Sequence, residues 1–308
     1  MSGRLAVVVP AFRAAATIER SVRSVFAQPL VRAQVLVVVD DDEGTTEKVL
    51  SSLAQPELRV LTNPRNLGAQ ESRNRGLAAI DAEYVMFLDS DDFLMGDLLN
   101  GLAAALARGG DVAFGPWLLY DEPGNYAERR LESYVSAADL LAKWLVRRRW
   151  TPPCAVLWRT EFLRAIGGWD EGVRRNQDGA LVCKAALAGA RLNHSNRGCG
   201  VYVQHDSPLR VSRSRSTFRD LITVSEKLLI QPSQAIGDAE RQQIFGDYFI
   251  WLAEGAFRRG DLQEGRFALR RGRELGGRYR TGSPLNKLGA AVLGLERYRR
   301  LLDSRKRP

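Results

Sequence analysis

Two stretches near the start of the chain are apolar at every position, Leu5 to Val9 and Val35 to Val39. Continuous Val/Leu runs without alternation predict strands covered on both faces, as in a parallel sheet. Between them Ile18, Val22, Val25 and Phe26 recur at helical spacing behind Thr17, a residue type favoured at an N-cap. The alternation continues, with helix over Thr46 to Leu53, strand over Leu58 to Thr62, helix over Gly68 to Ile80 and strand over Tyr84 to Leu88. Strands and helices in turn predict an α/β layer fold built on a parallel sheet. Beyond it the pattern gives a helix over Leu98 to Arg108, a strand over Val112 to Phe114 and a less regular stretch through Tyr134. A helix over Ala137 to Val146, a short strand within Thr151 to Trp158, helices over Glu161 to Ile166 and Asp178 to Ala188, and a strand over Gly200 to Gln204 follow. From Arg215 onward the chain reads as helical, so the domain boundary is placed near Ser212, dividing 1–212 from 213–308.

In open α/β sheets ligands bind outside the carboxyl ends of the strands. Three predicted strands deliver Pro10-Ala11-Phe12, Asp40-Asp41-Asp42-Glu43 and Asp89-Ser90-Asp91-Asp92 to that edge. Two acidic clusters on one edge repel each other unless a cation or hydrogen-bond donors lie among them. An Asp-x-Asp pair at a strand end aims two carboxylates at one point, an arrangement suited to Mg²⁺ or Mn²⁺ with positions left for substrate phosphates. The plain alternative is an acidic surface turn, since Asp and Ser are common turn residues.

Five segments in order resemble glycosyltransferase family 2, enzymes of the GT-A fold. They are Val7-Val8-Val9-Pro10-Ala11-Phe12; Val37-Val38-Val39-Asp40-Asp41; Asn66-Leu67-Gly68 running to Arg73-Asn74-Arg75-Gly76; Phe87-Leu88-Asp89-Ser90-Asp91-Asp92; and Gly167-Gly168-Trp169-Asp170-Glu171 followed by Gln177-Asp178. The resemblance covers about residues 5 to 205. It implies a Rossmann-like, mostly parallel central sheet with helices on both faces, followed by a helical C-terminal extension.

The same resemblance implies roles. Pro10, Ala11 and Phe12 line the nucleoside pocket with Asp40, which accepts from the imide N–H of the base. Arg73 sits near the base or the diphosphate, Asp89 approaches ribose and sugar, and Asp91 binds the metal, Mg²⁺ or Mn²⁺. His205 stands where some relatives supply a metal-binding histidine. Asp178 matches the carboxylate that takes the proton from the acceptor hydroxyl. The expected partners are a nucleotide-sugar donor, with uridine diphosphate the family's usual carrier, and a saccharide or lipid-linked acceptor.

Two positions depart from the family pattern. Gln177 stands where Glu is usual, and Pro10-Ala11-Phe12-Arg13 stands where Pro-x-Tyr-Asn is common. Gln177 is the one support for a rival reading, a binding module of the same fold without activity. A sugar nucleotidyltransferase is a second rival, but such enzymes open with a glycine-rich basic loop after the first strand. Bland readings stand beside the sharp ones: Asp178 as a helix cap, His205 as a surface histidine, Asp41, Asp42 and Glu43 as solvated turn residues, and Trp150 and Trp169 as packing rather than an acceptor platform.

Composition changes the picture in one region. The 308 residues carry a net charge of +9, yet Arg258 to Pro308 alone holds 15 Lys+Arg against 5 Asp+Glu, leaving 30 basic and 31 acidic residues elsewhere. Basicity therefore belongs to the tail, and no nucleic-acid partner is expected from it. There, Trp251 to Leu275 reads as two helices broken at Arg259-Gly260-Asp261, with Phe267 and Ala268 facing Leu252, Ala256 and Phe257. Leu285 to Leu302, ahead of Arg305-Lys306-Arg307, reads as a basic amphipathic helix suited to peripheral contact with an anionic membrane, or else as a solvated charged tail. No run reaches the ~20 apolar residues of a membrane span, and the start of the chain lacks a signal-peptide pattern, so a cytoplasmic protein is expected. Three widely spaced cysteines, Cys154, Cys183 and Cys199, suggest buried thiols rather than disulfides or a zinc site.

Overall fold

The computed structural model describes residues 4–29, 33–41, 43–121, 124–127, 129–173, 176–204, 218–279, 290 and 293–304. The chain divides into two compact units that interleave along the sequence. One comprises Met1–Ser136, Trp150–Gly172 and Ala190–Pro208; the other comprises Ala137–Arg149, Val173–Gly189 and Leu209–Pro308. The boundary expected near Ser212 falls outside the described residues.

The first unit holds every strand among the described residues. Its larger sheet contains β1 (Leu5–Ala11), β2 (Ala33–Val39), β3 (Leu58–Thr62), β4 (Tyr84–Phe87), β6 (Val112–Phe114), β9 (Val156–Arg159) and β10 (Leu192–His194). The strand order is β10-β6-β9-β4-β1-β2-β3. All neighbours are parallel except β9, which runs antiparallel to both β4 and β6. The carboxyl ends of β1, β2 and β4 therefore share one edge. The residues of β1 and most of β2 are buried on both faces, as their unbroken apolar runs require. On one face Val7, Val9, Val35, Val37 and Met86 join Ile18, Val22 and Val25 of α1 (Ile18–Phe26), Leu50 of α2 (Thr45–Ser52), and Leu98 and Leu102 of α4 (Leu98–Leu106) in one core. On the other face lies α3 (Ala69–Ala79), where a Cβ on Gly76 would meet the Val8 side chain at 2.4 Å. Only glycine lets the helix come so close. Helices thus cover both faces, the doubly covered sheet that the apolar runs predict.

Pro10 lies within a central strand, where its missing N–H would normally leave a gap in the ladder. Ala11 O accepts from Asp40 N on the β2 side, while Val8 O accepts from Leu88 N on the β4 side. Alternate residues face alternate neighbours, so Pro10 faces β4, whose pairing with β1 has already ended at Val8 and Phe87. The proline costs no sheet bond there.

A second sheet, order β5-β11-β7-β8, adds β5 (Phe93–Met95), β7 (Trp117–Asp121), β8 (Asn125–Tyr126) and β11 (Cys199–Gln204). The sequence predicted β11, as Gly200 to Gln204, but gave only an irregular stretch through Tyr134 where β7 and β8 lie. Strands of two to five residues with mixed exposure carry too few positions for a period to show. Short α6 (Thr160–Ala165) completes this unit.

The second unit is helical: α5 (Ala137–Leu145), α7 (Gln177–Leu187), α8 (Phe218–Leu229), α9 (Asp238–Arg259), α10 (Leu262–Glu274) and α11 (Leu295–Ser304). The break at Gly260 appears as expected, with left-handed φ of 84° closing α9. Phe267 does not turn inward. It is 40% exposed beneath the Arg270 guanidinium, and the seam with α9 is made by small residues, with Gly265 against Phe257 and Gly272 against Gly246. Helices this close admit glycine where a large side chain would hold them apart. Within the described part of the expected amphipathic segment, Leu295 and Tyr298 are buried and Glu296 pairs with Arg266. Arg305-Lys306-Arg307 lies outside the described residues.

Candidate functional site

The site begins at the carboxyl edge of the first unit's sheet. Beyond β1, Pro10 and Ala11 are buried and Phe12 is 42% exposed, with the Arg13 guanidinium 5.2 Å from its ring centre. Arg13 takes a left-handed backbone, φ 50°, held by its N–H donating to Asp41 Oδ2 at 2.7 Å. Its side chain pairs with Glu43 at 2.6 Å. Asp41 is therefore a buried anchor of the first loop rather than a solvated turn residue. Asp42 lies outside the described residues.

Asp40 follows β2 and is 4% exposed. Its Oδ1 accepts from Asn63 Nδ2 at 2.6 Å and Leu67 N at 2.8 Å, and its Oδ2 accepts from Gly68 N at 2.8 Å. These three donors answer the repulsion that an acidic edge would otherwise suffer. They also fix the 63–68 loop, which delivers the first turn of α3. Four lone-pair directions are available on a carboxylate, so one remains for a further donor.

Arg73 and Asn74 of α3 reach in two directions. Arg73 is 5% exposed; its Nη2 lies 2.5 Å from Asp89 Oδ1, and its guanidinium stacks 4.4 Å from the Trp169 ring centre. Trp169 in turn meets Phe87 edge-on, 5.4 Å between centres. Asn74 Oδ1 accepts from Trp169 N, and its Nδ2 donates to Trp169 O and to Glu171 Oε1. Gly168 has φ 56°, and a Cβ there would meet Asn74 Oδ1 at 2.7 Å, so the Gly-Gly-Trp turn needs glycine at that point. Trp169 is a packing residue, 4% exposed, that carries Arg73 on its face. Trp150 stacks on Trp117 with centres 4.9 Å apart.

The acidic turn itself closes with Asp92 N donating to Asp89 O at 3.0 Å. Asp89 and Asp91 are half-buried, while Asp92 is 1% exposed and its Oδ1 accepts from Val203 N of β11 at 2.9 Å. Burial, reinforced by the neighbouring Asp91 and Asp89 carboxylates, holds the Asp92 carboxyl well above the usual carboxylate range. The turn's backbone is held from α1: Ser21 donates to Ser90 O and Asp92 O, and Arg20 to Asp91 O. Sequence reasoning passed over Ser21 and Arg20 and gave Asn74 no role beyond its place in the family segment. Ser21 did carry a signal, a polar residue set among Ile18, Val22 and Val25 on the apolar stripe.

Asp178 belongs to the second unit. Asn176, not Asp178, occupies the N-cap position of α7, in a left-handed conformation with φ 56°. Asp178 is half-buried in the first helical turn, where the helix dipole favours a carboxylate. Gln177 precedes it as the first helical residue. His205 lies outside the described residues.

No group of three or more His, Cys, Asp and Glu converges on one point among the described residues. Mg²⁺ in nucleotide sites is held by one or two carboxylates together with substrate phosphates, and Asp91 with Asp89 provides a donor set of that kind. The three cysteines are buried and free, and burial pushes each thiol up. No described helix is long and apolar enough to cross a membrane.

Residues 6–165, more than half the chain, match the model of glycosyl transferase family 2. The chain belongs to that family. Its relatives include the succinoglycan biosynthesis protein ExoO of Rhizobium meliloti, 34% identical over 107 residues, covering 34% of this chain and 31% of ExoO. The pre-mycofactocin glycosyltransferase of Mycobacterium tuberculosis is 28% identical over 196 residues, 61% of this chain and 40% of its own. The family member thus spans between about a third and half the length of these curated relatives. Among solved structures, S. aureus TarS 1–349 in complex with UDP-GlcNAc aligns with a TM-score of 0.73 at 18% identity, covering 98% of this chain and 91% of that one. That likeness establishes the shared GT-A fold.

Proposed function

We propose that this family member transfers a sugar from a nucleotide-diphosphate donor to an acceptor hydroxyl with inversion, in glycan biosynthesis. The observation that carries the reading is the acidic turn after β4, where Asp89 is oriented by buried Arg73 on the edge that also bears Asp40 and Phe12. Pro10, Ala11, Phe12 and Asp40 line the nucleoside pocket, with the exposed Phe12 ring available for stacking on the base. Asp89 turns toward ribose and sugar, and Arg73, near the base or the diphosphate, holds Asp89 in place. Asp91, with Asp89 beside it, would hold Mg²⁺ or Mn²⁺, which when bound supplies Lewis-acid neutralisation of the leaving diphosphate.

Asp178 is the base. An acceptor alcohol is a weak nucleophile near neutral pH, and a carboxylate placed to accept takes its proton as attack proceeds. A single carboxylate in that role gives one displacement and inverted stereochemistry. The donor is a uridine diphosphate sugar, in keeping with the UDP-GlcNAc and UDP bound by S. aureus TarS in its solved structures. The acceptor is a saccharide or a lipid-linked saccharide; the relatives include the GalNAc(5)-diNAcBac-PP-undecaprenol beta-1,3-glucosyltransferase of Campylobacter jejuni, 28% identical over 147 residues.

A thermal-shift screen of nucleoside diphosphates with and without Mn²⁺, on wild type and Asp91→Ala, tests the donor side without a known acceptor. Ligand at 100 times its Kd stabilises the native state by about 2.7 kcal/mol. UDP with Mn²⁺ is expected to shift wild type and not the variant. No shift with any nucleotide at any metal concentration overturns the reading.

A further inference from the structure

Helix α1 holds the acidic turn through three successive carbonyls. Ser21 is fully buried, and its Oγ lies 2.8 Å from Ser90 O and 2.5 Å from Asp92 O. Arg20 Nη2 lies 2.9 Å from Asp91 O, the carbonyl between those two. One helical turn on, Ser24 Oγ accepts from Leu94 N at 3.0 Å, fixing the chain just after the acidic residues. These are the contacts that set the peptide planes on either side of Asp91.

A hydroxyl has one proton to give, so Ser21 shares it between two carbonyls as a three-centre bond. A side chain needed only to fill this space would be apolar, like its neighbours Ile18, Val22 and Val25 on the same buried stripe. Here the polar position on that stripe lies beneath the residues flanking Asp91. All three carbonyls accept from α1, which thereby holds the backbone from which the turn's carboxylates project. The direction of the Asp91 side chain then depends on the flanking Ser90 and Asp92 carbonyls that Ser21 holds, together with the Asp91 carbonyl that Arg20 holds.

We propose that Ser21 is a positioning residue for divalent-metal and nucleotide binding, acting by fixing the carbonyls of Ser90 and Asp92, the residues on both sides of Asp91. The inference rests on the assignment of Asp91 as the metal-holding carboxylate. Mg²⁺ demands near-octahedral ligands at about 2.0–2.1 Å, so a rotated peptide at Asp91 costs binding even when the turn stays folded. Losing an outer contact to a metal ligand typically costs 10–100-fold in metal affinity.

The test is a calorimetric titration of the full chain with UDP, in saturating Mn²⁺ and again in EDTA. It compares wild type, Ser21→Ala, Ser21→Thr, which restores the hydroxyl, and Arg23→Ala, which alters an exposed residue of the same helix. Ser21→Ala should weaken Mn²⁺-dependent UDP binding 10–100-fold while leaving the metal-free affinity unchanged. Ser21→Thr should recover most of the loss, and Arg23→Ala should match wild type. Should Ser21→Ala fail to fold, Ser21→Cys, close in volume but a weak donor, is expected to show the same selective loss.

An equal loss with and without metal makes Ser21 a general packing residue and overturns the proposal. So does wild-type affinity in Ser21→Ala. A wild type whose UDP binding ignores Mn²⁺ removes the metal assignment itself and takes this proposal with it, a result recognisable before any variant is made.

Discussion

Arg73 holds Asp89 at 2.5 Å while lying 4.4 Å over the ring of Trp169, so one guanidinium is committed to a carboxylate on its edge and an indole on its face. Only a planar, delocalised cation can do both. The arrangement joins the acidic turn, helix α3 and the Gly-Gly-Trp turn, and it explains how two acidic clusters share one sheet edge: each carboxylate cluster is supplied with donors from the chain.

The first prediction concerns that pair. Arg73→Ala leaves the Asp89 carboxylate without its partner and exposes the face of Trp169. Removing a charged hydrogen-bond partner from a half-buried carboxylate costs about 1.5–3 kcal/mol, and urea denaturation should show a loss of that size. Arg73→Lys should recover only part of it, because an ammonium loses the stacked plane. Full recovery by lysine would mean that charge alone matters here.

Asp178→Asn separates chemistry from binding. The amide keeps the shape and the place in the first turn of α7 but cannot accept the acceptor's proton. Transfer should fall about 10²–10⁴-fold, the usual contribution of a general base, while UDP affinity stays within twofold of wild type. A variant that turns over like wild type would remove Asp178 from the mechanism.

Acid sensitivity should trace in part to Asp111. Hydrogen bonds from the Arg191 side chain, with further help from its backbone N–H, hold the Asp111 carboxyl below its ordinary value of 3.8, against a smaller opposing effect of burial. A group whose pKa is lowered on folding stabilises the native state above its unfolded pKa, and that stabilisation disappears as pH falls through the native value. Between pH 5 and 2.5 the wild type should lose more stability than Arg191→Leu, measured as Tm against pH. Parallel curves for the two proteins would show that this pair has no part in acid unfolding.

The helical unit predicts its own failure point. A Cβ at Gly272 would lie 2.9 Å from Gly246 O, a backbone atom that cannot swing aside. Alanine is better than glycine in a helix by about 1 kcal/mol, but overpacking of this kind costs about 1–3 kcal/mol. Gly272→Ala should therefore be destabilising on balance by chemical denaturation. A stabilised variant would show that the α9–α10 seam opens easily.

Much of this architecture is written in local pattern. The unbroken apolar runs of β1 and β2 and the helical stripe of α1 depend on burial period alone, so the runs Leu5 to Val9 and Val35 to Val39 and the stripe from Ile18 to Phe26 marked Leu5–Ala11, Ala33–Val39 and Ile18–Phe26 to within two residues. The acidic residues after β2 and β4 could be placed on one edge because parallel strands share a direction. Of the second sheet only β11 could be read, since strands as short as Asn125–Tyr126 owe their existence to a neighbour and not to their own residues. Nor could Phe267 be assigned to the surface, because the seam it was expected to fill closes on glycines.

The chain by itself determined which residues are chemically capable: carboxylates at Asp40, Asp89, Asp91 and Asp178, and cations at Arg73 and in the tail. Tertiary structure decided what each is paired with. Asp40 and Asp41 became loop anchors, Asp92 was withdrawn from solvent to hold β11, and Asp89 was claimed by Arg73, while Ser21, an unremarked serine on an apolar helix face, came to lie under the turn. The reason is range. Hydrophobic period acts over a few residues and is visible in any window of sequence, whereas a hydrogen bond across some seventy residues, such as Ser21 to Asp92, exists only once the sheet has brought its ends together.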